Sequence, residues 1–162
     1  MIGWKKNSAV VERIFAAYHH KLIVLERIMS SLKLTVHDED DLMVLSSILQ
    51  DATVLIGDMG YDEDKNQFLM VAARYIRDDD GSARRHLIGV NFDQVTGLKR
   101  KGFSPKDRDD VLNLLAIQAQ DAHIEVVFAG AAMLRLETPV IRVYAADLGE
   151  GWSTQFQPGH QA

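Results

Sequence analysis

The chain contains no cysteine. That excludes disulfides, thiolate metal sites, iron–sulfur clusters and cysteine nucleophiles together. Small secreted domains commonly rely on disulfides, so this composition points to the cytoplasm. Positive charge is also scarce. A net charge of −5 argues against nucleic-acid binding, which needs a cationic surface. No apolar run approaches the length that spans a bilayer. Gly-x-Ser-x-Gly elbows, P-loops and dinucleotide fingerprints are missing; Gly57 and Gly60 only flank Asp58-Met59. Histidines 19, 20, 37, 86, 123 and 160 form neither a helical i, i+4 pair nor a His-Glu-x-x-His arrangement. Asp62-Glu63-Asp64-Lys65-Asn66 opens like a calcium loop, but Gln67 stands where such a loop needs Gly and Ala73 where it needs a bidentate Glu. A solvated hairpin turn explains it better. No catalytic residue, metal ligand or cofactor is therefore expected, and the balance leans against an enzyme.

What remains is an ordinary globular composition. A chain of 162 residues with 47% apolar and 25% charged residues builds one domain with its own core. One pattern occurs twice. Asp38-Glu39-Asp40-Asp41 runs into Leu42-Met43-Val44-Leu45, and Asp107-Arg108-Asp109-Asp110 runs into Val111-Leu112-Asn113-Leu114. Each is followed by an Asp-Ala pair, Asp51-Ala52 and Asp121-Ala122, and then by strand-like sequence. Asp38 is an expected N-cap, with carboxylates behind it against the positive end of the helix dipole. Helix-dipole complementarity explains both acidic clusters without a bound cation. Ser104-Pro105-Lys106-Asp107 reads as the start of a second helix, with Ser capping and Pro in the first turn, continuing to about Gln120.

Short runs at Leu32–Val36, Val54–Ile56, Met59–Tyr61, Gln67–Ile76, His86–Val95, Gly97–Phe103, Ile124–Phe128, Met133–Glu137 and Val140–Ala146 read as strands with hairpin spacing. The expected fold is α+β: an antiparallel sheet of several short strands covered by two helices, with a weak internal two-fold repeat. The expected organisation is an N-terminal extension at 1–31, a single domain at 32–152 and a polar tail at 153–162.

The first 28 residues stand apart. Lys5, Lys6, Arg13, Lys21 and Arg27 against Glu12 and Glu26 give +3, which leaves −8 on the rest. Val11, Ile14, Phe15, Tyr18, Leu22, Leu25 and Ile28 recur at helical steps. The segment is either an upstream extension of the gene with its natural start at Met29, an amphipathic docking helix, or a leader. Glu12 and Arg13 interrupt the apolar region of the last of these. The expectation is that residues 1–28 contribute nothing to the core.

Several residues in order carry a family resemblance. These are Asp40-Asp41-Leu42, Leu49-Gln50-Asp51-Ala52, Gly57-Asp58 with Tyr61, Arg84-Arg85 before Gly89-Val90-Asn91-Phe92 and Val95, Leu114-Leu115-Ala116-Ile117, and Asp147-Leu148-Gly149 with Trp152 and His160. On these the chain resembles a bacterial family known as domain of unknown function 2948, found mainly in alphaproteobacteria, over about residues 32–160. Asn91 stands where that resemblance leads one to expect His. The family has no established activity or cofactor, so the resemblance implies no catalytic residues.

Binding candidates are the basic stretches and a few polar groups. Arg84 and Arg85 begin one strand, and Lys99 and Lys101 lie on the next extended run. Paired as a hairpin, they would form a cationic rim for an acidic partner or ligand. Edge protection against aggregation is the plainer explanation. Asp58 with Tyr61 would orient a polar ligand, or close a turn beside a half-buried ring. Trp152 either covers the sheet or anchors a partner. Three functions fit. A non-catalytic protein-interaction or adaptor module, with a protein partner or a second copy, ranks first. A small-molecule or anionic-ligand sensor would need Arg84, Arg85 and Tyr61 in one concavity. A carboxylate-dependent hydrolase would need at least two of Asp58, Asp93, Glu125 and Asp147 in one cleft.

Overall fold

The structure, a computed structural model, describes residues 32–77, 79–148 and 152–153. The described chain is almost entirely β. In chain order it forms β1 (Lys33–Val36), α1 (Glu39–Leu49), β2 (Thr53–Asp62), β3 (Gln67–Arg77), β4 (Ala83–Phe92), β5 (Gly97–Lys101), β6 (Val111–Gln120), β7 (His123–Phe128), β8 (Met133–Glu137), β9 (Val143–Asp147) and β10 (Trp152–Ser153). The strands pair in the order β1-β9-β4-β3-β2-β6-β7-β8-β5, and β10 joins β4 at Arg84 and Arg85. Every pairing is antiparallel.

This overturns the expected α+β sandwich with two helices. Among the described residues there is one helix, α1, and the segment read as the second helix is strand β6. The error has a physical source. β6 pairs with β7 as Leu114↔Phe128 and then Ala116↔Val127, so Leu115 is an extra residue in a bulge. The bulge shifts the phase of burial. Leu114 and Ile117 are both buried while Leu115 between them is 45% exposed. Inward residues three apart imitate the spacing of a helix. The Ser104 signal is real but local. Ser104 Oγ accepts from Lys106 N at 3.3 Å and its carbonyl from Asp107 N at 3.1 Å, and a second turn closes from Asp110 N to the Asp107 carbonyl at 3.1 Å. Two turns lead into a strand, so the internal two-fold repeat also fails.

α1 forms as its sequence dictates. Asp38 Oδ1 accepts from Asp41 N at 2.8 Å, and Asp41 Oδ2 reaches back to His37 N at 3.1 Å. Two N–H groups at the helix start are thereby satisfied. Leu42, Leu45 and Leu49 are buried, while Met43 and Val44 on the other side are exposed. The buried leucines join a single cluster fed by the inward residues of β1 to β9, including Phe68, Phe92, Phe128 and Leu134. Its longest side chains thus come from strands far apart in the pairing order, so the sheet curls around one core.

The helix also closes a seam. β6 pairs with β2 only over Val111–Asn113, and from Leu114 onward it pairs with β7. Past that switch its other edge needs new partners. Leu114 N donates to the Ala52 carbonyl at 2.8 Å, Asp51 N to the Leu114 carbonyl at 2.9 Å, and Ile117 N to Ser46 Oγ at 2.8 Å. β2 in turn leaves β6 and bonds the turn before it, with Gly57 N donating to the Arg108 carbonyl at 2.9 Å. A Cβ at Gly57 would sit 2.9 Å from that same oxygen, so only glycine allows this approach.

Ser46→Ala leaves the Ile117 N–H without its acceptor. The expected loss is about 1–3 kcal/mol, the cost of a half-buried donor left unsatisfied. Urea unfolding checks it, and a change below about 0.3 kcal/mol would show that the seam does not need this bond.

Candidate functional site

The residues singled out from the sequence occupy different parts of the sheet. Arg84 and Arg85 are consecutive in β4 and so point to opposite faces. Arg84 is exposed, whereas Arg85 is buried and its guanidinium donates to the Ala73 carbonyl at 3.4 Å. Lys99 and Lys101 lie outward on β5. β5 is the last strand of the order and pairs with β8, while β4 lies between β9 and β3. The two basic stretches therefore do not form a hairpin rim.

Tyr61 is buried, and its hydroxyl donates to the Val95 carbonyl at 2.8 Å. Burial raises its pKa above the ordinary value, and the charge of Glu63 adds to the effect. It ties β2 to the link between β4 and β5. Tyr61 pairs with Phe68 at one end of β3, and Arg85 pairs with Tyr75 toward the other, roughly 24 Å of strand away. Tyr61, Arg84 and Arg85 do not line one concavity. Asp58 lies in the irregular part of β2 between Val54 and Met59. The backbone of Trp152 pairs with Arg85, and the placement of its ring falls outside the described residues.

The four carboxylates are also dispersed. Asp147 is held by Arg74 through two hydrogen bonds, Nε to Oδ1 at 3.2 Å and Nη2 to Oδ2 at 3.0 Å, and accepts from Leu32 N at 2.9 Å. Asp93 follows the opposite end of β4, where Gln67 Nε2 donates to it at 3.4 Å and Arg142 lies 4.0 Å away. Glu125 belongs to β7 and Asp58 to β2. Among the described residues, no group of three or more His, Asp or Glu side chains is arranged to hold a metal ion. The calcium-like turn is occupied by its own backbone, since Asp62 Oδ1 accepts from Asp64 N at 3.1 Å and Lys65 N at 3.3 Å.

What the sheet does bring together is a polar ladder on the outward face of β6, β7, β8 and β5. Gln118, Glu125, Arg135 and Lys99 stand in direct cross-strand register, and His123 faces Glu137 in the adjoining row. Gln118 Nε2 donates to Glu125 at 2.9 Å, and His123 Nε2 lies 3.2 Å from the other oxygen. Arg135 Nε donates to Glu137 at 2.8 Å, and Lys99 Nζ approaches the same oxygen at 3.9 Å. The Gln118 hydrogen bond, followed by that of His123, holds the Glu125 pKa below the ordinary 4.5; desolvation opposes this, and the charges of His123 and Arg135 support it. Of this group the sequence singled out Lys99, and Glu125 only as a carboxylate. The two-residue steps His123/Glu125 and Arg135/Glu137 place each pair on one face of its strand. The register that joins them across four strands is not written in any one segment.

Two outcomes follow. Glu125 has a lowered folded pKa, so its contribution to stability is present above pH 4.5 and is lost as pH falls through the lowered value. Glu125→Gln is expected to flatten that acid-side loss in unfolding midpoints measured from pH 7 down to about pH 3, and parallel profiles would contradict the assignment. Arg74→Ala strands the Asp147 carboxylate, whose side chain is 4% exposed, and is expected to cost about 3–5 kcal/mol in urea unfolding. A loss under about 1 kcal/mol would mean that the pair is surface-like.

The structure has no helix among its described residues that is long and apolar enough to cross a membrane. In comparisons with known proteins, no curated protein and no solved structure matches the chain. One family model does match, that of a protein of unknown function, DUF2948, over residues 32–160. This span takes in every described element and most of the chain, and the protein belongs to the DUF2948 family.

Proposed function

We propose that the protein is a non-catalytic interaction module of the bacterial cytoplasm, and that it engages an acidic protein partner through the outward face of β5 and β8. One observation carries this reading. Register places Lys99, Lys101 and Arg135 together on that face at the end of the sheet, in a chain whose net charge is −5. Glu137 lies between Arg135 and Lys99 and holds their head groups in place, but leaves an excess of positive charge. Such a patch steers an acidic partner and sets its orientation more than it supplies raw affinity. The dispersal of Asp58, Asp93, Glu125 and Asp147 weighs against the hydrolase alternative. The separation of Tyr61 from Arg84 and Arg85 weighs against a sensor built on those three. The cysteine-free composition supports the cytoplasmic setting.

The test compares partner capture from bacterial lysate by immobilised wild type and by Lys99→Glu/Lys101→Glu. A specific partner held by the wild type, released by salt and lost in the variant, is the expected result. A partner retained equally by both would place the interface elsewhere. The side chain of Lys99 is 66% exposed, so the double substitution should shift stability by no more than about 0.5 kcal/mol. Arg84→Glu/Arg85→Glu is a poorer probe, because Arg85 is buried and its reversal would perturb the fold.

A further inference from the structure

The sheet has a second apolar face. On the side away from the main core, β3, β4 and β9 present Leu69, Val71, Tyr144 and Ala146, with Leu148 beyond them. Leu69 and Ala146 are each 1% exposed, although α1, the one described helix, sends its buried leucines into the main core. This face also carries a polar anomaly. Among the described residues, the buried side-chain polar atoms without a hydrogen-bond partner are Gln67 Oε1, Tyr75 OH, Asn91 Oδ1 and Arg100 Nε. Gln67, Tyr75 and Asn91 all lie on this one face, because alternation puts the odd-numbered residues of β3 and β4 there. Asn91 is only 6% exposed and sits in register between Leu69 and Tyr144. Buried amide and hydroxyl groups in native proteins are almost always satisfied, so three on one apolar face mark a surface that takes a covering segment.

We propose that the N-terminal segment of this chain, residues 1–31, docks across the outer face of β3, β4 and β9. The chain emerges beside it. Leu32 is fixed to Asp147, its carbonyl accepting from Asp147 N at 3.0 Å, and Asp147 stands between Ala146 and Leu148 of the face. The segment's own pattern fits the surface. Its apolar stripe from Val11 to Ile28 would extend roughly 26 Å as a helix. The face from Gln67 to Tyr75 extends roughly 27 Å along β3. The segment carries +3 against −8 on the rest of the chain, and its Arg13 and Lys21 can donate to the unpartnered oxygens of Gln67 and Asn91. Docking would give this chain a built-in cover over a face within the family-matched residues, using sequence that lies outside the match. It runs against the expectation that residues 1–28 contribute nothing to the core.

The absence of cysteine makes the test direct. In the full chain, Val71→Cys places a single thiol on the face, Ala145→Cys places one in the main core, and Met43→Cys places one on the exposed side of α1. Rates of thiol modification are compared with and without Phe15→Glu/Leu22→Glu. Docking predicts a slow rate at Val71→Cys that rises about tenfold or more when the stripe is broken, with no change at Met43→Cys and continued protection at Ala145→Cys. Protection at Ala145→Cys separates undocking from unfolding, and Leu22→Glu alone repeats the comparison with less perturbation. Equal rates at Val71→Cys with and without the substitutions would overturn the proposal. So would protection that survives the substitutions but disappears on dilution, which would assign the face to a second copy of the chain.

Discussion

The fold depends on how one strand is shared. β6 starts as a partner of β2 and ends as a partner of β7, so the backbone between these two commitments would be left with open hydrogen-bonding groups. Helix α1 and its exit supply them. Ser46 takes the N–H of Ile117, while Asp51 and Ala52 bracket Leu114. The same helix buries Leu42, Leu45 and Leu49 in the core, so polar satisfaction and apolar burial at the seam come from one element. With the seam closed, the strands on either side curl around one interior.

That curl decides what the surface can present. Consecutive residues in a strand face opposite ways, which separates Arg84 from Arg85, and the candidate rim with β5 does not form because β5 pairs with β8. It also gathers residues from four strands into the row Gln118, Glu125, Arg135 and Lys99. Within that row and the adjoining one, Glu125 and Glu137 are each shared between neighbours, which fixes the side chains without burying their charges deeply. The opposite end of the sheet has the other character, with an apolar floor of Leu69 and Ala146 around a buried amide at Asn91. The sheet thus carries a polar face at β5 and β8 and an apolar face at β3, β4 and β9.

Much of this was legible in the sequence because it is local. The Asp38 cap and the β2–β3 hairpin around Asp62 depend on residues a few positions apart, and each formed as expected. The second helix was not legible because a bulge at Leu115 makes a strand bury residues at helical spacing, and the Ser104-Pro105 turn supplied a false start signal. The candidate site was legible only in fragments. Lys99 and Lys101 could be chosen as exposed cations on an extended run, but Arg135 joins them through a pairing of β5 with β8 that no local pattern encodes. Tyr61 was open between a ligand contact and a half-buried ring, and only the tertiary structure shows its hydroxyl reaching the Val95 carbonyl across a long stretch of chain.

The central claim is that α1 closes the seam at β6, and site-resolved amide hydrogen exchange tests it most directly. The N–H groups of Asp51, Leu114 and Ile117 all cross the seam. The account predicts that they are protected to a common opening free energy, within about 0.5 kcal/mol of one another, because one event exposes all three. Rapid exchange at Ile117 alongside strong protection at Leu114 would contradict it, and would mean that the helix rests on the sheet without closing it.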